Sequence, residues 1–329
     1  MSGNPSGEFK KIVVSIGGNA IIRRTERGEI EEQFENVAAA CSYIAGISRS
    51  VGTGIIITHG NGPVVGNIAA RNEAARDIVP PMPLFICDAD SEGGIGFMIQ
   101  QSLYNGLRRI GSKREVVTVV TQVVVERGDP AFKDPSKFVG LFYGKDESDA
   151  LGKTRGWVMK EDSNRGFRRV VPSPRPKRIV EADVIKGLAD SGVIVIAAGG
   201  GGVPVVESDD GTLKGVDAVV DKDFATTLLA LETGADAIIN LTQIDKVYKD
   251  FGKPSQEGLP VLTIGEARRY LKEGHFPAGS MGPKIEAAIE FVEKGGHEVV
   301  ITAPELIAEA LSGNAGTRVV KTVNRDREP

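Results

Sequence analysis

The sequence predicts an α/β fold built on a mostly parallel sheet that is covered on both faces. Three observations carry this. Short β-branched runs alternate with helical segments along most of the chain, the order expected of strand–helix–strand crossovers. The runs read as continuous apolar stretches, as strands buried on both faces do. With 329 residues, 41% hydrophobic and 26% charged, the chain can bury one large core or two modest ones and has an ordinary globular composition.

The first strand is expected at residues 11–16, a Val/Ile run that stops at Gly17-Gly18-Asn19. A helix follows: Phe34, Val37, Ala38, Cys41, Ile44 and Ala45 recur at helical spacing and make one apolar stripe. A second buried run, 54–58, ends at His59-Gly60-Asn61-Gly62-Pro63. Further strands are expected at 115–125, at 193–198 before four consecutive glycines, at 237–241 and at 298–302. Helical segments near 64–76, 94–110, 181–191, 223–233, 282–294 and 304–312 lie between them. Two regions break the alternation. Residues 129–176 are rich in Pro, Gly and charge, are too long for a loop in a compact domain, and are expected to form a small inserted subdomain. Residues 203–220 read as a hairpin turning at Asp209-Asp210-Gly211.

Bulk properties remove several classes of function. A net charge of −4 supplies no basic field for nucleic acid or anionic membrane. No apolar run approaches the roughly 20 residues a membrane helix needs, and Met1 to Glu8 is too polar for a signal peptide, so a cytoplasmic protein with a flexible N-terminus at 1–9 and a polar tail at 322–329 is expected. Cys41 and Cys87 are too few for a disulfide framework and are expected as buried free thiols. His59, His275 and His297 are too scattered for a zinc site.

The informative pattern is where the glycines fall. Gly17-Gly18, Gly60-Asn61-Gly62 and Gly199 to Gly202 each follow a strand. In an open α/β sheet ligands bind beyond the carboxyl ends of the strands, where glycines admit close backbone approach and helix N-termini aim N–H groups at anions. Three such loops point to phosphate or another small anion. Known phosphate motifs are absent. Gly152-Lys153-Thr154 lacks the upstream glycine of a Walker loop, no Gly-x-Gly-x-x-Gly follows the first strand, and the surroundings of Ser280 miss the nucleophile-elbow pattern. Phosphoryl transfer also needs cations along the path of the phosphate. Lys222, flanked by Asp221 and Asp223, and Lys284, after Gly282-Pro283, both stand where a loop opens a helix and are the candidates.

Together, Ile16-Gly17-Gly18-Asn19-Ala20, Thr58-His59-Gly60-Asn61-Gly62-Pro63, the glycines 199–202 with Val203-Pro204, Asp221-Lys222-Asp223 and Gly279-Ser280-Met281-Gly282-Pro283-Lys284 resemble the carbamate kinases, a branch of the amino-acid kinase superfamily. The insert joins in, through Asp134-Pro135-Ser136-Lys137 and Arg168-Arg169-Val170-Val171-Pro172. The resemblance spans roughly residues 10–321. It implies a three-layer αβα sandwich around a mainly parallel sheet of about eight strands. It also implies an acceptor-binding N-terminal half, a nucleotide-binding C-terminal half and a lid at about 129–176. The implied reaction moves phosphate between ATP and carbamate, with Mg²⁺ carried by the nucleotide rather than by a protein metal site, in a homodimer. Carried onto this chain, Gly17, Gly18 and Asn19 hold the moving phosphate, with Gly200 and Gly201 also on the phosphate and acceptor side. Gly60, Asn61 and Gly62 flank the carbamate. Lys222 and Lys284 neutralise charge, Asp223 orients them, and Lys137 reaches in from the lid. Thr242, Asp245, Val247, Tyr248, Met281 and Gly282 fall on the nucleotide side. Two positions depart from the family pattern: Glu92 stands where glutamine is usual, and Phe138 where proline is usual. A sister kinase with another acceptor, or a catalytically silent nucleotide-binding member, are the alternative readings.

Overall fold

A computed structural model describes residues 9–23, 25–52, 54–162, 165–277, 279 and 281–322. The expectations for the first eight residues, for the tail from 323 onward and for Ser280 lie outside the described residues. At the centre is an eight-stranded sheet. Six strands run one way, in the spatial order Val116–Thr118, Ile194–Ile196, Gly54–His59, Lys11–Ile16, Ala237–Leu241 and Glu298–Thr302. Thr317–Val320 then pairs antiparallel with Glu298–Thr302, and Val261–Thr263 continues parallel to Thr317–Val320.

Successive side chains of a strand point to opposite faces, so one run feeds two cores. Val13, Ile56, Val195 and Ile238 face one side, where Leu229, Ile285 and Phe291 of the helices Lys222–Thr233 and Met281–Glu293 cover them. Ile12, Val14, Ile55 and Ile57 face the other side, against Cys41 and Ile44 of the helix Ile30–Ile47 and Ile99 and Leu103 of the helix Leu84–Arg109. This is the three-layer sandwich. Both cysteines are buried free thiols, and burial pushes Cys41 up to about 12.

The run at 115–125 is two strands, not one. Val116–Thr118 closes the edge of the main sheet, while Gln122–Val125 belongs to a four-stranded sheet with Pro176–Ile179, Val203–Glu207 and Leu213–Gly215. The apolar pattern is continuous, but the backbone between the strands bonds sideways: Val119 N–H donates to the Ile196 carbonyl and Thr121 N–H to the Glu92 carboxyl. The helix expected near 94–110 begins ten residues earlier, at Leu84, because Asp88, Asp90 and Gly93-Gly94 interrupt the apolar periodicity that would have marked its first half. The helix Ile264–Lys272, begun by a capping box between Thr263 and Glu266, has no counterpart among the sequence expectations. The hairpin of Val203–Glu207 with Leu213–Gly215 is present, turning through Gly211 at φ +81°. Within 129–176 the chain forms an antiparallel sheet of Lys137–Tyr143, Phe167–Val171 and Val158–Glu161, plus the helix Lys145–Arg155. The Gly152-Lys153-Thr154 near-match lies on that helix, not in a phosphate loop.

Candidate active site

Parallel pairing brings the strand ends level. Ile16 lies beside His59 on one side and Leu241 on the other, so Gly17, Gly60 and Thr242 leave the sheet at the same edge. A cleft of about 660 Å³ opens there. Its lining brings together Gly17, Gly18, Asn19, Gly60, Asn61, Gly62, Gly200, Thr242, Lys137, Lys222, Asp223 and Lys284, drawn from well-separated stretches of chain.

The loops touch backbone to backbone. A Cβ placed on Gly60 would stand 2.9 Å from the Gly18 nitrogen, so glycine is what lets the first two loops meet. Gly200 has φ +68°, and a Cβ there would lie 2.1 Å from Asn61 Nδ2. Gly18 differs: its nearest neighbour is Pro63 Cδ at 3.7 Å, so the space before it belongs to the cleft.

The charged centre is built on Asp223, in the first turn of the helix Lys222–Thr233. That helix is capped by Asp221, whose Oδ1 accepts from Asp223 N–H at 2.9 Å. Asp223 Oδ1 accepts from Lys222 Nζ at 2.8 Å and from Lys284 Nζ at 3.0 Å, and Oδ2 accepts from Lys284 at 3.1 Å. Lys222 also donates to Ser15 Oγ at 2.9 Å. Burial alone would raise the pKa of Asp223, but the two ammonium groups and their hydrogen bonds outweigh it and hold the carboxyl well below the usual range. Lys284 is pushed down to about 8, by burial first and by repulsion from Lys222 second, with Asp223 pulling the other way. From the insert, Lys137 Nζ donates to Asp221 Oδ2 at 2.7 Å. Three ammonium groups thus share two carboxylates and leave net positive charge in the cleft.

A buried polar layer underlies the loops. Glu92 is 1% exposed; its Oε2 accepts from Thr121 N–H at 3.0 Å and its Oε1 from Gly199 N–H at 2.8 Å. Burial drives its carboxyl up to about 8 despite those bonds. Glu92 therefore ties the third glycine loop to the strand crossover rather than placing a charge in the cleft. His59 is fully buried and held down to about 4, first by burial and in part by the charge of Lys222, with Nδ1 3.2 Å from the Gly60 carbonyl.

Several expected residues lie outside the cleft lining. Gly201 is buried at φ +105° where a Cβ would strike the Val220 carbonyl at 2.2 Å. Val247 is fully buried and donates its N–H to Thr317 Oγ1 at 2.8 Å. Tyr248 donates its hydroxyl to Asp245 Oδ1 at 2.8 Å. Gly282 donates its N–H to the Pro277 carbonyl, and Met281 packs on the core. Conversely, sequence reasoning does not single out Ser15, Gln243 or Glu305, which the cleft or its lysines engage. Of these only Ser15 leaves a signal, as a lone hydroxyl inside a Val/Ile run. Among the described residues no group of three or more His, Cys, Asp or Glu side chains is arranged to hold a metal ion, and no helix is long and apolar enough to cross a membrane.

Comparison with known proteins agrees with this geometry. The model of the amino acid kinase family matches residues 10–303. A carbamate kinase of Thermococcus kodakarensis is 48% identical over 315 residues, which cover 95% of this chain and 100% of that protein. The carbamate kinase-like protein YahI of Escherichia coli is 49% identical, over 94% of this chain and 99% of that protein. The solved structure of Giardia lamblia carbamate kinase bound to AMP-PNP is 41% identical with a TM-score of 0.89, covering 95% of this chain and 99% of the other. The chain belongs to the amino acid kinase family, within its carbamate kinase branch.

Proposed function

We propose that the protein is a carbamate kinase, moving a phosphoryl group reversibly between carbamoyl phosphate and ADP to give carbamate and ATP. The observation that carries this is the Lys222–Asp223–Lys284 cluster facing the glycine loops within one cleft. Carbamate is already an anion, so attack on the γ-phosphate needs no general base; the task is to bring two anions into line. Asp223 suits that logic. Held ionised by two lysines, it is a poor proton acceptor and a good anchor. Lys222 spends hydrogen bonds on Asp223 and Ser15 and keeps a third N–H for phosphate oxygen. Backbone N–H groups of Gly17 and Gly18, with the Asn19 side chain, receive the transferring phosphate, and Gly60, Asn61 and Gly62 flank the carbamate. Gly200 shapes the acceptor pocket, with Gly201 supporting it from behind.

The nucleotide lies on the side of Thr242, with Asp245, Val247, Tyr248, Met281 and Gly282 forming or backing its pocket. Mg²⁺ carried by the nucleotide would supply further charge neutralisation, with no protein carboxylate needed to hold it. The cleft carboxylates fit that mode, because Asp221 and Asp223 are each already engaged by lysine. The insert acts as a lid that delivers Lys137. The protein works as a cytoplasmic homodimer. The deciding experiment is ATP formation from carbamoyl phosphate, ADP and Mg²⁺, with acetyl phosphate and acetylglutamate phosphorylation as comparisons. Turnover of carbamoyl phosphate well above both is expected. No ATP from carbamoyl phosphate, with activity toward another acceptor, would overturn the assignment in favour of a sister kinase.

A further inference from the structure

The Asn61 side chain lines the cleft with a group whose two ends behave oppositely, since Nδ2 donates and Oδ1 accepts. What lies behind the loop decides which end faces the ligand. Nδ2 donates to Ser91 Oγ at 2.8 Å and to Asp88 Oδ1 at 3.3 Å. Ser91 has a single hydroxyl hydrogen, and it goes to the backbone carbonyl of Asp88 at 2.8 Å, a group that only accepts. Toward Asn61, then, Ser91 Oγ is an acceptor. With its hydroxyl hydrogen on the Asp88 carbonyl, Ser91 would set its lone pairs against Oδ1 in a flipped amide, so the shorter bond, at 2.8 Å, sets the orientation with Nδ2 toward Ser91. Asn61 Oδ1 finds no partner among the described residues, yet it is not among the sealed, unpaired atoms. It lies on the side of Asn61 that meets the third glycine loop, 2.8 Å from where a Cβ on Gly200 would stand, in a residue that lines the cleft.

Asp88 is an expensive residue to keep in this place. It is 3% exposed, its Oδ2 has no partner among the described residues, and burial raises its carboxyl to about 8. The one hydrogen bond its side chain makes among those residues is the bond to Asn61.

We propose that Asp88 and Ser91 are positioning residues that hold Asn61 Oδ1 toward the acceptor. This carbonyl then receives an N–H of the carbamate amino group and selects carbamoyl phosphate over its methyl isostere, acetyl phosphate. The inference rests on the carbamate reading above and adds the device that recognises the amino group. A site that presents a fixed acceptor leaves it unpaired when a methyl group replaces the amine, and so rejects the analogue.

The test measures ADP-dependent ATP formation by the full-length protein from carbamoyl phosphate and from acetyl phosphate, each varied in turn. The proteins compared are wild type, the double variant Asp88→Val/Ser91→Ala, and Asp88→Asn. In the double variant the amide is free to turn. The ratio of kcat/KM for carbamoyl phosphate over acetyl phosphate should fall about tenfold. The loss should sit mainly in KM for carbamoyl phosphate, with KM for ADP unchanged. Asp88→Asn keeps an acceptor oxygen for Nδ2 and should retain most of the wild-type ratio. A merely structural role would depress both substrates alike, and a ratio within twofold of wild type in the double variant overturns the inference while the proposed function stands. Wild type that forms no ATP from carbamoyl phosphate overturns the proposed function, and this inference with it. Should the double variant fail to fold, Ser91→Ala alone carries the same readout, because it removes the shorter of the two bonds.

Discussion

Asp223 holds two ammonium groups at once, and this governs how each lysine responds to change. Removing either positive charge from the cleft leaves the transferring phosphate under-neutralised, so Lys222→Ala and Lys284→Ala should each lower kcat by about 100-fold with the fold retained. Turnover near wild type in either variant would dismiss that lysine from the reaction. The two differ in their pH response. Burial and Lys222 press Lys284 down to about 8, so its charge is present below that pH and lost above it. The kcat/KM profile, which reports the free enzyme, should fall on the alkaline side near pH 8. Bound phosphate favours the charged form and should move the limb in kcat to higher pH. Lys284→Arg stays charged throughout, so an unchanged alkaline limb in that variant would assign the titration elsewhere. A third expectation concerns Gly18, which adopts no positive φ and where a side chain would extend into open cleft. Valine there should abolish phosphoryl transfer while shifting Tm little, and wild-type kcat and KM in Gly18→Val would exclude the loop as phosphate cradle. The lysines are legible in the sequence because acidic flanks and a Gly-Pro turn mark them. Glu92 is not: its position in sequence suggests an added charge in the acceptor site. Only the three-dimensional arrangement shows it buried behind the loop, accepting from the Thr121 and Gly199 N–H groups.

At the scale of elements, the segment 129–176 shows what periodicity cannot supply. Its strands are short, and their residues are mostly exposed or half-buried in no clean alternation, so the sequence marks it only as irregular. In three dimensions Lys137 opens the strand Lys137–Tyr143 and pairs with Val171 of Phe167–Val171, which fixes the base of its side chain on a ladder. Its ammonium reaches Asp221, the cap of the helix that carries Lys222 and Asp223. The insert is thereby linked to the helix Lys222–Thr233 by an ion pair beside the cleft. Lys137→Ala should raise KM for carbamoyl phosphate and lower kcat by about tenfold or more, leaving KM for ADP nearly unchanged. If both carbamoyl phosphate parameters stay within twofold, the lysine is structural and the glycine loops recognise carbamate unaided. The same limit of pattern reading explains the run at 115–125. Its β-branched residues look uniform, and the switch between sheets is set by partners far away in sequence, Ile196 and Glu92.

The whole molecule leaves apolar surface that its own core does not use. The helix Leu84–Arg109 buries Ile95, Ile99 and Leu103 inward, yet exposes Ile86, Phe97 and Tyr104 on its outer side, with Phe97 at 55%. Phe97 meets Phe34 of the neighbouring helix Ile30–Ile47 edge-to-face at 6.3 Å, so the surface spans two packed helices rather than one stray side chain. Single exposed apolar residues are ordinary, but aromatic side chains clustered on a rigid helical face are the usual material of an interface core. Two copies related by a two-fold axis can apply the same face to each other, and a stable pair buries about 800 Å² per partner. Light scattering at micromolar concentration should therefore report about twice the 34.9 kDa chain mass. Phe97→Glu would place a charge in the desolvated centre of that face, where it finds no partner, and should shift the mass toward the single chain while leaving far-UV circular dichroism unchanged. The cleft lies at the strand ends and draws Lys137, Lys222, Asp223 and Lys284 from one chain, so the monomeric variant should keep measurable turnover. A wild-type mass of one chain would refute the dimer outright. A dimer that survives Phe97→Glu would place its interface on another face of the molecule.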